Sequence, residues 1–207
     1  MACFILIRHG DTLWTKEKRY QGRTDIPLLS IGRKKMVMLE RVIRRTDVDV
    51  IYTSSLGRAK ESGRIIAGSR RIKIKEDKRL DEISFGRWEG KTGQELWDEK
   101  DSVYKKWMEG RWVTAPDGES IQSLRKRVKN FLTDCIKQYR NKTIVIVSHG
   151  GTIRMILIEL LNFPLKYMFS FRIDPASVTV VKHYSNNAAQ LMCLNTKNMG
   201  PTWILKK

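Results

Sequence analysis

Long apolar runs, cysteine and histidine are all scarce in this chain of 207 residues. No apolar run approaches the roughly 18 residues that a membrane-spanning helix needs, so no membrane partner is expected. The opening MACFILIRHG has an apolar stretch but no basic segment ahead of it. It runs straight into Arg8 and His9, and it reads as a strand and not as a signal peptide. The three cysteines, Cys3, Cys135 and Cys193, are far apart and odd in number. They fit neither a disulfide framework nor metal-ligand spacing, and the expectation is buried free thiols in a reducing cytoplasm. Linkers, internal repeats and low-complexity tracts are also missing. That leaves a single domain over 1–207.

Acidic residues are in short supply as well: 40 Lys and Arg stand against 22 Asp and Glu, a net charge of +18. Such a balance attracts polyanions, whether nucleic acid, acidic membrane or phosphorylated small molecules. The charges come in short groups, such as Arg33-Lys34-Lys35 and Arg125-Lys126-Arg127. Several of these fall in helical segments, where a solvated face is the simplest account. Hydrophobic residues at 41% and charged residues at 30% describe a soluble globular protein long enough to bury a core.

The pattern of elements points to an α/β domain. Cys3–Ile7 reads as a buried strand, followed by a loop from His9 to Leu29 with turn signals at Gly22 and Ile26-Pro27. Ser30 is the expected N-cap of a helix to about Arg45. A strand over Val48–Thr53 comes next. Ser54 or Ser55 is then expected to cap a helix ending near Ala67, and a short strand lies at Ile72–Lys75. Residues 76–118 lack clear periodicity and read as an insertion, with loops and one or two helices around Gly93–Met108. From Ile121 to Tyr139 apolar residues recur at spacings of three, four and one, which predicts a long amphipathic helix. A strand at Thr143–Val147, a helix at Gly150–Leu161, and two closing strands at Val178–Val181 and Ala189–Leu194 complete the chain. Alternating strands and helices predict a mostly parallel central sheet flanked by helices on both faces.

Sites in such sheets form beyond the carboxyl ends of the strands. The first strand is followed by Arg8, His9 and Gly10. The second is followed by Ser54, Ser55 and, in the next helix, Arg58. The strand at 143–147 is followed by Ser148, His149, Gly150 and Gly151. Two of the chain's three histidines therefore sit at strand ends; the third, His183, reads as structural. Arginine binds phosphate in a bidentate fork and keeps its charge. A helix starting at Gly150 aims backbone N–H groups at an anion. Neighbouring arginines keep an imidazole neutral, and a neutral imidazole can be a nucleophile. His149 can stabilise charge on the transferring group.

The motifs carrying these residues resemble those of the histidine phosphatase superfamily, also called phosphoglycerate mutase-like. LIRHGDTLW at 6–14 is similar to its nucleophile motif. YQGRTDIPLLSIG at 20–32, YTSSLGRAKES at 52–62, LDEISFGRWEG at 80–90, GES at 118–120 and VIVSHGGTIR at 145–154 follow in the family's order. The resemblance implies a phosphoglycerate mutase-like fold with the insertion over the active site. It implies that His9 attacks phosphorus, that Arg8, Arg58 and His149 surround the phosphate, and that Glu82 protonates the leaving oxygen. Gln21, Gly22 and the Gly150 backbone join the phosphate or substrate pocket. The family usually has Asn after the tryptophan of the first motif. Thr15 stands there in this chain, and it is assigned to the same phosphate contact with a shorter reach.

Within the family the phosphatases are the closer match. Mutases carry a Tyr-Gly pair after the proton-donor Glu, whereas this chain has Phe85-Gly86. Together with Phe171-Arg172-Ile173-Asp174, this arrangement resembles the α-ribazole phosphatases of cobalamin synthesis. The implied activity is metal-independent hydrolysis of a small phosphorylated metabolite, α-ribazole phosphate being one candidate, in the cytoplasm and without a cofactor. The alternatives are a phosphoglycerate mutase-type isomerase, against which the insertion and C-terminal tail are short for a lid, and a basic nucleic-acid-binding protein on a phosphatase fold. No nucleic-acid-binding motif supports the last. The oligomeric state is open, a homodimer included.

Overall fold

The computed structural model describes residues 1–111, 113–184 and 188–197. The strands are β1 (Ala2–Arg8), β2 (Val50–Thr53), β3 (Ile74–Glu76), β4 (Thr143–Ser148), β5 (Val178–His183) and β6 (Ala189–Thr196). The helices are α1 (Leu13–Lys16), α2 (Ser30–Ile43), α3 (Gly57–Ala67), α4 (Gly93–Asp98), α5 (Ser102–Met108), α6 (Ile121–Gln138) and α7 (Gly150–Leu160). The strands form one mixed sheet in the order β3-β2-β4-β1-β5-β6. β1 to β4 run parallel, and β5 pairs antiparallel with both β1 and β6.

Both sheet faces are covered. On one side Phe4, Leu6, Ile144 and Ile146 pack with the apolar faces of α6 and α7. On the other, Cys3, Ile5, Ile7, Val145 and Val147 pack with Met36 and Leu39 of α2 and Ile66 of α3. Alternate residues of β1 and β4 thus feed opposite cores, which is why these strands are apolar throughout and not alternating. The expected α/β architecture is present.

Several local expectations are corrected. Ser30 is the first residue of α2, and Leu29 holds the cap position without a side-chain bond. Neither Ser54 nor Ser55 caps α3, whose N-cap is Leu56; both hydroxyls bond Asp81 instead. Of the one or two helices expected around 93–108 there are two, as that expectation allowed, separated where Lys100 takes φ 57° and Asp101 caps the second with bonds from Val103 N and Tyr104 N. The loop between β1 and α2 contains α1. All three cysteines are free; burial pushes the Cys3 and Cys135 thiols up to about 12. His183 ends β5 and lies outside the site described next.

The insertion has its own small core of Trp88, Leu96, Tyr104 and Ala115. It is stitched to the loop ahead of α2 through Glu89, whose carboxylate accepts from the N–H groups of Arg23 (3.0 Å), Thr24 (2.9 Å) and Phe85 (3.0 Å). Gly22, at φ +54°, has no room for a Cβ against that same carboxylate.

Candidate active site

The sheet order puts the chemistry together. β4 lies between β1 and β2, with Arg8 beside Ser148 and Thr53 beside Val147 in register. The residues that follow these strands are therefore neighbours. The His9 and His149 rings stand 5.1 Å apart between centroids, and Ser54 Oγ lies 2.7 Å from His149 Nε2.

His9 Nδ1 is 2.8 Å from the carbonyl oxygen of Gly10. A carbonyl only accepts, so Nδ1 carries the ring hydrogen and the lone pair of the neutral ring is on Nε2. Burial, then the charges of Arg58 and Arg8, hold the His9 pKa well below its ordinary value. His149 is lowered in the same way, by burial first and Arg58 next. Both imidazoles are neutral near pH 7.

The arginines are braced by backbone carbonyls. Arg8 donates from an Nη to Ile173 O at 2.6 Å. Arg58, 1% exposed, donates to Thr24 O and Gly22 O, both at 2.7 Å. Arg154 donates from Nε to Phe171 O at 2.7 Å. Arg8 is lowered to about 10 and Arg58 and Arg154 are also lowered, burial being the main cause in each, which leaves all three charged. Three buried side-chain nitrogens of the site, Arg8 Nε, Arg58 Nε and His149 Nδ1, lack a hydrogen-bond partner among the described residues.

Glu82 is placed by two hydroxyls of the neighbouring strand and helix. Ser148 Oγ donates to Leu80 O at 2.7 Å, and Thr152 Oγ1 donates to Asp81 O at 2.6 Å. The carboxylate accepts from Gly151 N and Thr152 N, each at 3.1 Å, and from Ile83 N at 3.0 Å. The N-terminus of α7 was expected to offer free N–H groups to a substrate anion. Two of them hold Glu82 instead, and that of Gly150 remains. A cavity of about 180 Å³ is lined by Arg8, His9, Gln21, Gly22, Arg58, Glu82 and Gly150 from the expected set.

A model described as the histidine phosphatase superfamily (branch 1) matches residues 4–196. The chain belongs to that superfamily. Phosphoserine phosphatase 1 of Hydrogenobacter thermophilus is 32% identical to this histidine phosphatase chain over 206 residues, covering 99% of the chain and 97% of the relative. "Probable phosphoglycerate mutase GpmB" of Yersinia enterocolitica is 31% identical over 79% of the chain and 77% of its own length. Among solved structures, the α-ribazole phosphatase of Shigella flexneri superposes with a TM-score of 0.87 at 26% identity, covering 96% of this chain and 98% of that one.

Two residues of the expected set, Thr15 and His149, are not in the cavity wall of this histidine phosphatase; His149 is fully buried beside His9. The expectation for Thr15 fails: its hydroxyl donates to Thr12 O at 2.8 Å and accepts from Thr12 N at 2.9 Å, closing the capping box of α1. A side chain this short satisfies its own helix end before it can reach a ligand. Sequence reasoning also missed part of the cavity wall: Arg154, Tyr20, Phe85, Trp107 and Phe169. Arg154 carried a signal, since four residues past Gly150 is the same face of a helix. Tyr20 and Phe85 lay inside the motifs at 20–32 and 80–90 without being assigned to the wall, and Trp107 and Phe169 come from distant segments that carried no signal.

Proposed function

We propose that the protein hydrolyses small phosphomonoesters through a phosphohistidine formed at His9 Nε2. The observation that carries this reading is the hydrogen bond from His9 Nδ1 to Gly10 O, which leaves the nucleophilic lone pair on the other nitrogen. Nε2 attacks phosphorus, and the bond from phosphorus to the ester oxygen breaks. Glu82 gives that oxygen its proton. In the second half, Glu82 takes a proton from water, water attacks the phosphohistidine, and inorganic phosphate leaves. Arg8, Arg58, His149 and the Gly150 N–H hold the phosphoryl oxygens, a role favoured for the first three by the buried nitrogens Arg8 Nε, Arg58 Nε and His149 Nδ1, which have no hydrogen-bond partner among the described residues. Gln21 and Gly22 bound the same space.

Two features bear on the alcohol part of the substrate. An aromatic wall of Tyr20, Phe85, Trp107 and Phe169 suits the planar base of α-ribazole phosphate. Arg154 forms no ion pair among the described residues, and its guanidinium favours a second reading, a substrate with a carboxylate such as phosphoserine. Hydrolysis is favoured over isomerisation by Phe85-Gly86 where mutases carry Tyr-Gly. The tail at 198–207, also expected to be short for a mutase lid, lies outside the described residues.

The test has two parts. Quenched turnover of labelled substrate should trap an acid-labile, base-stable phosphoprotein, and His9→Ala should abolish both the label and turnover. A label that survives acid, or that persists in His9→Ala, refutes the nucleophile. A panel of α-ribazole phosphate, phosphoserine, sugar phosphates and 3-phosphoglycerate should release phosphate from at least one member well above the rate for 3-phosphoglycerate. Conversion of 3- to 2-phosphoglycerate faster than phosphate release would make the enzyme a mutase.

A further inference from the structure

The surroundings of His149 dictate where its proton sits. A serine hydroxyl has one hydrogen to donate. That of Ser54 goes to Asp81 Oδ1 at 2.8 Å, because a carboxylate only accepts. Asp81 is held as an acceptor by the Ser55 N–H at 2.8 Å and the Ser55 hydroxyl at 2.9 Å. Leu56 N also donates to Ser54 Oγ, at 3.1 Å. Toward His149 Nε2, 2.7 Å away, Ser54 can therefore only accept, so Nε2 bears the hydrogen. The neutral ring then has its lone pair on Nδ1, and Nδ1 is the buried atom without a partner. His9 has the opposite tautomer, with its hydrogen on Nδ1.

This matters for an anion. A bare lone pair facing a fully ionised phosphoryl group repels it, and only a proton between them turns the contact into a hydrogen bond. We propose that Ser54 and Asp81 are positioning residues that make phosphate binding proton-linked: one proton enters with each phosphate dianion and is shared between His149 Nδ1 and a phosphoryl oxygen. No covalent bond between heavy atoms changes. The proton comes from solvent when the ligand is a dianion and travels on the ligand when it is a monoanion. The inference rests on the reading above that the phosphoryl group seats beside His149.

The groups acting on His149 are Arg8 and His9 at the end of β1, Arg58 on α3 and Arg127 on α6, with Asp81 behind Ser54. The cations and burial disfavour a second proton while no anion is present. A dianion reverses the local sign, and Asp81, one hydroxyl away, then faces an imidazolium it can stabilise.

Inorganic phosphate is the probe, and two measurements read the effect. Nitrogen NMR of the imidazoles in phosphate-free buffer should report His149 as the Nε2–H tautomer, with only three histidines to assign. Calorimetry at about pH 8, in buffers of different ionisation heat, should show uptake of close to one proton per phosphate bound. Asp81→Asn should change the answer. An Asn amide can donate to Ser54, turn its hydroxyl toward Nε2, and move the ring hydrogen to Nδ1. Uptake should then fall toward zero, and phosphate affinity should lose part of its decline with rising pH. Ser54→Ala, which removes the acceptor outright, should lower the uptake as well and stands in if Asp81→Asn does not fold. An Nδ1–H tautomer in the free protein, or phosphate binding without proton uptake, overturns the proposal. Failure of phosphate to bind or to shift the His149 signals overturns the linkage through the site reading. In that case the free-protein tautomer still decides the part played by Ser54 and Asp81.

Discussion

Lowering the pH should destabilise this protein earlier than carboxylate titration alone would. His9 and His149 are fully buried, and their pKa values lie well below the ordinary 6.5. A base whose pKa falls on folding stabilises the native state in full above the unfolded pKa. The contribution is lost as pH drops below that value, because the unfolded chain takes up protons that the folded chain refuses. Each such histidine contributes a slope of about 1.4 kcal/mol per pH unit below 6.5. For two that stay neutral, the loss between pH 7.5 and 5 is roughly 4 kcal/mol, a large share of a typical total of about 5–15 kcal/mol. His183 is lowered less completely and adds a smaller part. Carboxylates with lowered values, such as Asp174 at about 2, act further down and leave this window clean. Urea unfolding in phosphate-free buffer measures the effect as a falling midpoint at constant m. His9→Ala removes one titrating group, so it should flatten the pH dependence by nearly half, whatever it does to stability at pH 7.5. A midpoint indifferent to pH over this range, or one whose slope is the same in His9→Ala, would refute the assignment of two neutral buried imidazoles.

Glu82→Gln should slow alkyl phosphates by roughly 10²–10⁴-fold and an aryl ester with a good leaving group, such as p-nitrophenyl phosphate, far less. Equal losses on both would contradict the acid role. Activity should persist in excess EDTA, because the proposed mechanism neutralises the phosphoryl group with Arg8 and Arg58 and routes no step through a metal; loss restored by Mg²⁺ or Mn²⁺ would sink the mechanism. The net charge of +18 should draw in anionic substrate, so kcat/KM should fall with added salt while kcat holds. A flat response, with tight nucleic acid retention in a filter-binding assay, would point to the polyanion-binding alternative.

The strands of the sheet centre were legible because apolar, β-branched runs such as Ile144–Val147 can only be buried on both faces. Their spatial order was not, since nothing local says that β4 lies between β1 and β2. Even so, the rule that sites gather at strand ends brought Arg8, His9, Arg58 and His149 into one set without it. Glu82 needed the family resemblance, as it ends no parallel strand and is held by tertiary bonds to α7. Thr15 was misplaced because a hydroxyl that closes a helix cap looks, in sequence, the same as one that reaches a ligand. Ser54 was noticed only as a small residue after β2; its part in fixing the His149 proton depends on Asp81, 27 residues later.

The carbonyl bracing of the three pocket arginines has an evolutionary consequence. Arg58 also lies 3.7 Å from the Asp25 carboxylate, but ion pairing alone would tie an arginine to one acidic side chain, and a change at either partner would break the pair. A backbone oxygen is supplied by every amino acid. Thr24, Phe171 and Ile173 orient Arg58, Arg154 and Arg8 through atoms that no side-chain substitution removes. The side chains at these positions can change while the backbone oxygens that hold the guanidinium groups persist. Gly22 is the exception, because its conformation and its fit against Glu89 admit no side chain. A pocket held this way keeps its arginines in place while the side chains around their braces are exchanged.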